Sequence, residues 1–156
     1  MMKTTRYLAG PDDTLATGSL LAPCIRPGMV FYLQGDLGAG KTTLVRGVLQ
    51  GLGYAGKVKS PTFSLVELYE FSRLYFYHFD FYRIDRPQEW QEAGFREYFN
   101  DDSVCLIEWP EKAGDSLPSA DVKIELKFSE SGRVMEVSGL TDAGAHCAAL
   151  LRNDDG

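Results

Sequence analysis

The feature that most constrains this chain is a glycine-rich run, G-D-L-G-A-G-K-T, over residues 35–42. It matches the G-x-x-x-x-G-K-[ST] phosphate-binding loop, in which glycines let the backbone turn sharply and direct N–H groups at phosphate oxygens. An apolar, β-prone segment precedes it at 29–34, and helically spaced apolar residues follow it at 43–52. Strand, loop and helix in this order aim a helix N-terminus at an anion. The sequence therefore predicts a nucleoside triphosphate site.

The loop motif also assigns chemical roles to its residues. Lys41 is expected to compensate the charge of the β- and γ-phosphates, and the Thr42 hydroxyl to bind Mg²⁺. The residues expected to contact the nucleotide within and beside the loop are Gly35, Asp36, Leu37, Gly38, Ala39, Gly40, Lys41, Thr42 and Thr43. A guanine-reading Asn-Lys-x-Asp sequence is missing, because neither Asn100 nor Asn153 precedes lysine. ATP is the predicted nucleotide.

Turnover needs a carboxylate near the metal and a group that acts on water, and two segments compete for these roles. The run before Glu108 is apolar on both faces, as in a central parallel strand, so Glu108 is expected at the strand's carboxyl end, where ligands bind. The segment before Asp80 alternates between two faces. Glu108 is therefore predicted to hold magnesium, directly or through water. Asp80 is predicted to face the γ-phosphate, as a general base or as a water-orienting group.

At other positions the sequence gives weaker evidence of a functional role. Ser60 and Thr62 lie where a nucleotide switch often places a hydroxyl, although a plain turn explains them equally well. Trp109 follows Glu108, so it should lie beside the site. His78 is expected to be structural, and neither a catalytic histidine nor a cysteine nucleophile is predicted.

The composition excludes several classes of protein. There is no apolar run of 18 residues, and the N-terminus lacks the long apolar stretch of a secretory signal, so a cytoplasmic protein without a membrane span is expected. Sixteen basic residues against 22 acidic ones give a net charge of −6. Direct binding of RNA normally requires a basic face, so contact with nucleic acid is expected only through a partner. The three cysteines lack C-x-x-C spacing, which favours free thiols over a zinc site.

The remaining pattern predicts an α/β fold for a single domain over residues 1–156. It is a P-loop NTPase-like three-layer sandwich whose sheet mixes parallel and antiparallel strands. Helices are predicted over 11–24, 43–52, 85–99 and 140–152. Strands are predicted over 29–34, 64–71, 74–84, 103–109, 121–128 and 133–138, with a turn near 72–73.

Four motifs in order resemble the TsaE family of small bacterial ATPases in tRNA threonylcarbamoyladenosine biosynthesis. They are G-D-L-G-A-G-K-T-T at 35–43, K-S-P-T-F at 59–63, H-F-D-F-Y-R at 78–83 and E-W-P-E at 108–111. The resemblance covers nearly the whole chain. It implies a slow ATPase that binds ATP and Mg²⁺, associates with the TsaB–TsaD heterodimer and does not itself transfer the threonylcarbamoyl group. It supports the roles above for Lys41, Thr42, Asp80, Glu108 and Trp109.

The resemblance further implies that Thr14 and Arg133 lie where the two ends of the chain close over the nucleotide. In this family the modified base is the adenosine 3′ of the anticodon in tRNAs that read codons beginning with A. Hydrolysis is expected to reset or license the partner complex.

Two alternatives stay open: a small-molecule P-loop kinase, and a non-catalytic module in which ATP only sets conformation. The amphipathic hairpin predicted near the C-terminus argues against the kinase, because P-loop kinases of this size usually have a mostly helical second half and an arginine-bearing lid.

Overall fold

The fold is built on one seven-stranded mixed sheet, seen in a computed structural model that describes residues 2–61, 63–71 and 74–152. The strands are β1 (Met2–Leu8), β2 (Val30–Gly35), β3 (Val66–Phe71), β4 (Leu74–Asp80), β5 (Ser103–Glu108), β6 (Val122–Phe128) and β7 (Arg133–Gly139). Their order across the sheet is β1-β7-β6-β2-β5-β4-β3. β2 pairs in parallel with β5 and β6, and β5 pairs in parallel with β4. The outer pairs β1–β7, β7–β6 and β4–β3 are antiparallel. The predicted mixed sheet is confirmed.

Helices cover both faces of the sheet, which confirms the three-layer sandwich. The α-helices are α1 (Pro11–Leu21), α2 (Lys41–Gly51), α3 (Glu89–Glu92) and α4 (Asp142–Arg152), and 3₁₀ turns cover Ala22–Cys24, Phe95–Tyr98 and Pro110–Ser116. Residues of α1, α2 and α4 share one core cluster with Val104 and Leu106 of β5. Their neighbours Cys105 and Ile107 belong to a second cluster with α3 and the later 3₁₀ turns. This alternation along β5 separates the two faces.

Two elements differ from the prediction in the region after β4. The expected strand over 74–84 ends at Asp80, because the chain turns there and the Ile84 N–H donates to the Phe81 carbonyl. The expected helix over 85–99 is interrupted at Gly94, whose φ of 83° is left-handed. The single-helix prediction was therefore wrong, and two short turns replace it. They still bury Trp90 completely against the sheet.

The edge strand β1 was not predicted from the sequence. It pairs with β7 along its whole length. One of its inward positions is Thr4, whose hydroxyl donates to the Ala148 carbonyl of α4 at 2.9 Å. A polar residue at a buried position weakens the apolar alternation that signals a strand. The predicted turn at 72–73 lies outside the described residues.

The expectation of three free thiols was wrong. Cys24 and Cys147 form a disulfide across a sequence separation of 123 residues, and it joins the turn after α1 to α4. Spacing along the sequence could not predict this pair, because the fold alone brings its members together. Cys105 is free, and its burial raises the pKa of the thiol to about 12. Among the described residues, no helix is long and apolar enough to cross a membrane.

Candidate functional site

The glycine-rich loop joins the carboxyl end of β2 to the start of α2, as predicted. At Gly35 the backbone has φ 158°, and a Cβ there would lie 2.8 Å from the Leu126 carbonyl oxygen of β6. Gly40 precedes the first turn of α2 at φ 105°, a conformation that L-residues rarely adopt. Glycine is thus required at both positions. The loop opens the N-terminal amides of α2 to an anion.

Lys41 is the first residue of α2, and it is held by three neighbours. Its Nζ donates to the Gly35 carbonyl at 2.6 Å and lies 3.8 Å from Glu108 Oε1. The same atom lies 4.2 Å from the centre of the Trp109 ring, where a cation–π contact stabilises its charge. Burial lowers the pKa of the Lys41 ammonium, while the carboxylates of Glu108 and Asp80 oppose that shift. These contacts therefore hold the Lys41 ammonium at the glycine loop.

The two predicted carboxylates lie side by side. Asp80 ends β4 and Glu108 ends β5, and the parallel register pairs these two residues directly. Only 8% of Asp80 and 4% of Glu108 is exposed. Asp80 Oδ1 accepts the Tyr82 N–H at 3.0 Å. Burial raises the pKa of Asp80; this N–H opposes the shift, and the neighbouring Glu108 charge adds to it. Burial thus makes Asp80 a stronger base than an exposed aspartate.

His78 is a neighbour of Glu108 that sequence reasoning did not relate to the site. It is fully buried, and its Nε2 lies 2.5 Å from Glu108 Oε2. This contact was not predicted, and the structural role predicted for His78 stays a prediction. A signal was available, since His78 and Asp80 are two residues apart on one strand and so share a face.

A cleft of about 320 Å³ collects most of the predicted site, and we call it the charged cleft. It is lined by Leu37, Gly38, Gly40, Lys41, Thr42, Thr43, Ser60, Asp80, Glu108 and Trp109. Thr42 and Glu108 thus line the same cleft as residues of the glycine loop. Carboxylate and hydroxyl oxygens are ligands that suit Mg²⁺, which usually takes one or two protein ligands and completes its shell with phosphates and water. The residues present fit a magnesium-bound triphosphate. The predicted switch residue Thr62 lies outside the described residues.

A second cleft of about 410 Å³ lies on the other side of the loop, and we call it the rim cleft. It contains Thr14 of α1 and Arg133 of β7 together with the loop residues Gly38, Ala39 and Gly40. A guanidinium nitrogen of Arg133 lies 3.3 Å from the Gly38 carbonyl oxygen, to which it donates. The first helix and the last strand therefore each contribute a residue beside the loop. Asp36 lines neither cleft, and its side chain is exposed.

Comparison with known proteins gives relatives over most of the chain. The family described as threonylcarbamoyl adenosine biosynthesis protein TsaE matches residues 8–135. A Haemophilus influenzae protein named tRNA threonylcarbamoyladenosine biosynthesis protein TsaE is 41% identical, over 98% of this chain and all of its own. A Bacillus subtilis protein of the same name is 41% identical over 75% of this chain and 73% of its own. The crystal structure of Bacillus subtilis YdiB matches with a TM-score of 0.82 at 31% identity, covering 99% of this chain and 97% of that one.

Proposed function

The chain belongs to the TsaE family, and from this premise we propose that it is a magnesium-dependent ATPase of tRNA threonylcarbamoyladenosine biosynthesis. The relatives described above carry the name of that pathway. The observation that carries the ATPase assignment is the convergence of Lys41, Asp80 and Glu108 on the glycine loop. A loop that only bound phosphate would not need two buried carboxylates at the ends of adjacent strands, where their like charges repel.

Each residue has a role in the proposed reaction. The loop amides and Lys41 hold the triphosphate, and exchanging the Gly35 and Glu108 contacts of Lys41 for phosphate keeps its charge compensated. Thr42 and Glu108 would hold Mg²⁺, which would neutralise part of the triphosphate charge. Asp80 accepts a proton from the attacking water or orients it. The raised pKa of Asp80 improves its strength as a base once it is ionised.

We further propose that the chain works in the cytoplasm with the TsaB–TsaD heterodimer, as the resemblance of its four motifs implies. The net charge of −6 supports tRNA contact through these partners rather than directly. ATP hydrolysis would reset or license the partner complex between rounds of transfer. Hydrolysis by the chain alone would then be slow, and the partners would stimulate it.

The test is to measure ATP hydrolysis and tRNA modification over many cycles with purified TsaB–TsaD, with and without this chain. We expect stimulated hydrolysis, and modification that stops after the first cycles when the chain is omitted. Glu108→Gln should lower magnesium-dependent turnover about 10- to 100-fold, while the exposed Glu97→Gln serves as a matched control. Modification that continues at full rate without the chain would overturn the proposal.

The kinase alternative has no observation in its favour. The second half of the described chain contains the antiparallel pair β6–β7, which joins the main sheet. Arg133 is contributed by a strand of that sheet rather than by a helical lid. ATP-dependent phosphorylation of a metabolite in a broad substrate screen would support the kinase instead.

A further inference from the structure

A buried histidine contacts a carboxylate of the proposed ATPase site without lining the charged cleft. His78 lies on the face of β4 that carries Asp80, and the β4–β5 register places it beside Leu106. It reaches diagonally to Glu108, which pairs with Asp80. No part of His78 is exposed. Substrate cannot touch it, so any effect on chemistry must act through neighbouring residues, and Glu108 is the site residue that it hydrogen-bonds.

The contact divides the two oxygens of Glu108 between two partners. His78 Nε2 lies 2.5 Å from Oε2, and Lys41 Nζ lies 3.8 Å from Oε1. An ionised carboxylate only accepts hydrogen bonds, so we assign the proton of this bond to Nε2. A carboxylate anchored by one oxygen cannot rotate about its terminal torsion without breaking that bond. The other oxygen therefore stays directed toward Lys41.

The second ring nitrogen shows that packing alone does not explain the histidine. Within the described residues, His78 Nδ1 is buried and has no hydrogen-bond partner. A buried polar atom without a partner costs stability, which an apolar ring of similar size would avoid. The bond to Glu108 is what offsets this cost. The Nε2–H tautomer leaves Nδ1 as an unprotonated acceptor, so no donor is left without an acceptor.

We propose that His78 is a positioning residue that fixes Glu108 with Oε1 presented to the metal and Lys41. The role rests on the proposed ATPase function and deepens it. Residues that orient a metal ligand typically change metal affinity or activity about 10- to 100-fold when they are removed. Loss of the donor should therefore weaken the use of magnesium, while the loop and Lys41 keep their contacts with nucleotide.

The test compares His78→Phe, which keeps a ring but loses the donor, with His78→Gln, which keeps an N–H donor of comparable reach. The exposed His146→Gln is the matched control. We expect the phenylalanine variant to need at least about tenfold more Mg²⁺ for half-maximal ATP turnover, and the glutamine variant to stay within about threefold. Nucleotide affinity measured in EDTA should change little in either variant. Equal magnesium dependence in all three variants, or equal loss in both His78 variants, would overturn the proposal.

A second measurement leaves His78 unchanged and does not depend on activity. In ¹⁵N NMR spectra of the unmodified chain, we expect the Nε2 of His78 to show a protonated shift and Nδ1 an unprotonated one, with His146 as the internal reference. Glu108→Ala should move the Nε2 resonance. An unprotonated Nε2, or an Nε2 chemical shift that is unchanged in Glu108→Ala, would overturn the positioning role. If the unmodified chain shows no ATP turnover even with TsaB–TsaD present, the proposed function fails, and the spectra still decide whether His78 holds Glu108.

Discussion

The two clefts flanking the glycine loop are built in opposite ways. The charged cleft takes its chemistry from buried residues at the ends of parallel strands, where Asp80 and Glu108 are fixed by the β4–β5 register. The rim cleft takes Thr14 from a helix near one end of the chain and Arg133 from a strand near the other, and its far wall is the turn after β6. The charged cleft is thus built on the parallel centre of the sheet, whereas the rim cleft combines a helix, an antiparallel outer strand and a turn.

This difference assigns distinct tasks to the two sides of the loop. Buried charges have a large effect on one another because water screens them poorly, so changes in the charged cleft should alter rate or phosphate affinity strongly. Partly exposed contacts on the rim contribute little each. The following experiments test this division, from the largest expected effect to the smallest.

The strongest test of the charged cleft is Asp80→Asn. We expect ATP turnover to fall about 10²- to 10⁴-fold, because proton transfer by a positioned base contributes about that much. Nucleotide affinity should stay within about threefold, since the side-chain oxygen of the introduced asparagine could still accept the Tyr82 N–H. Because burial raises the pKa of Asp80, the acid limb of the rate profile should lie at a higher pH than an exposed aspartate would give. Unchanged hydrolysis and unchanged tRNA modification would instead favour the non-catalytic module.

The disulfide gives a test of the rim side, because Cys24 follows α1, which carries Thr14. Cys147→Ala should lower the free energy of unfolding by about 4–5 kcal/mol, as expected for a link that closes so long a loop. The measurement is chemical denaturation of the oxidised chain, with Cys105→Ala as the matched control. Rim contacts should weaken while Asp80 and Glu108 stay paired.

Counting thiols checks the same bond directly. Denatured, unreduced protein should show one reactive thiol, Cys105, and reduction should reveal all three cysteines. Disulfides are rare in reducing compartments, so the result also bears on the proposed cytoplasmic location. Three thiols before reduction would contradict the bond.

Lys41→Ala should lower ATP affinity about 100-fold, because the triphosphate loses the charge-assisted hydrogen bonds of its ammonium. Isothermal titration measures this loss, and the exposed Lys57→Ala is the matched control. Unchanged affinity would remove Lys41 from the phosphate site. The variant also leaves Glu108 without its neighbouring cation, so the unfolding free energy should be measured alongside.

Arg133→Ala should have the smallest effect, about a threefold loss of ATP affinity, since the guanidinium is partly exposed. It donates to the Gly38 and Gly132 carbonyls and lies 4.3 Å from the centre of the Phe128 ring. Arg26→Ala, before the opposite end of β2, is the control. A loss as large as that of Lys41→Ala would mean that the rim holds phosphate, and the division between the clefts would be wrong.

The same division separates what the sequence could predict from what it could not. The charged cleft follows from local patterns, because a motif fixes Lys41 and the apolar run before Glu108 indicates a central strand. Parallel strands that end at one edge bring their last residues together. Thr14 and Arg133 were expected at the nucleotide only through resemblance, since no local pattern relates the two ends of the chain. The Cys24–Cys147 pair had no local signal either.

The backbone conformation of Trp109 affects both where β5 ends and what the indole contacts. Its φ of 58° and ψ of 48° are left-handed, which is rare for a bulky side chain. This bend stops β5 immediately after Glu108, so the carboxylate is the last group the strand delivers before the chain leaves the sheet. The same bend sets the indole beside the Lys41 ammonium and the Tyr82 ring. A backbone angle that is unfavourable in isolation therefore ends β5 at the acid and places the indole against the lysine.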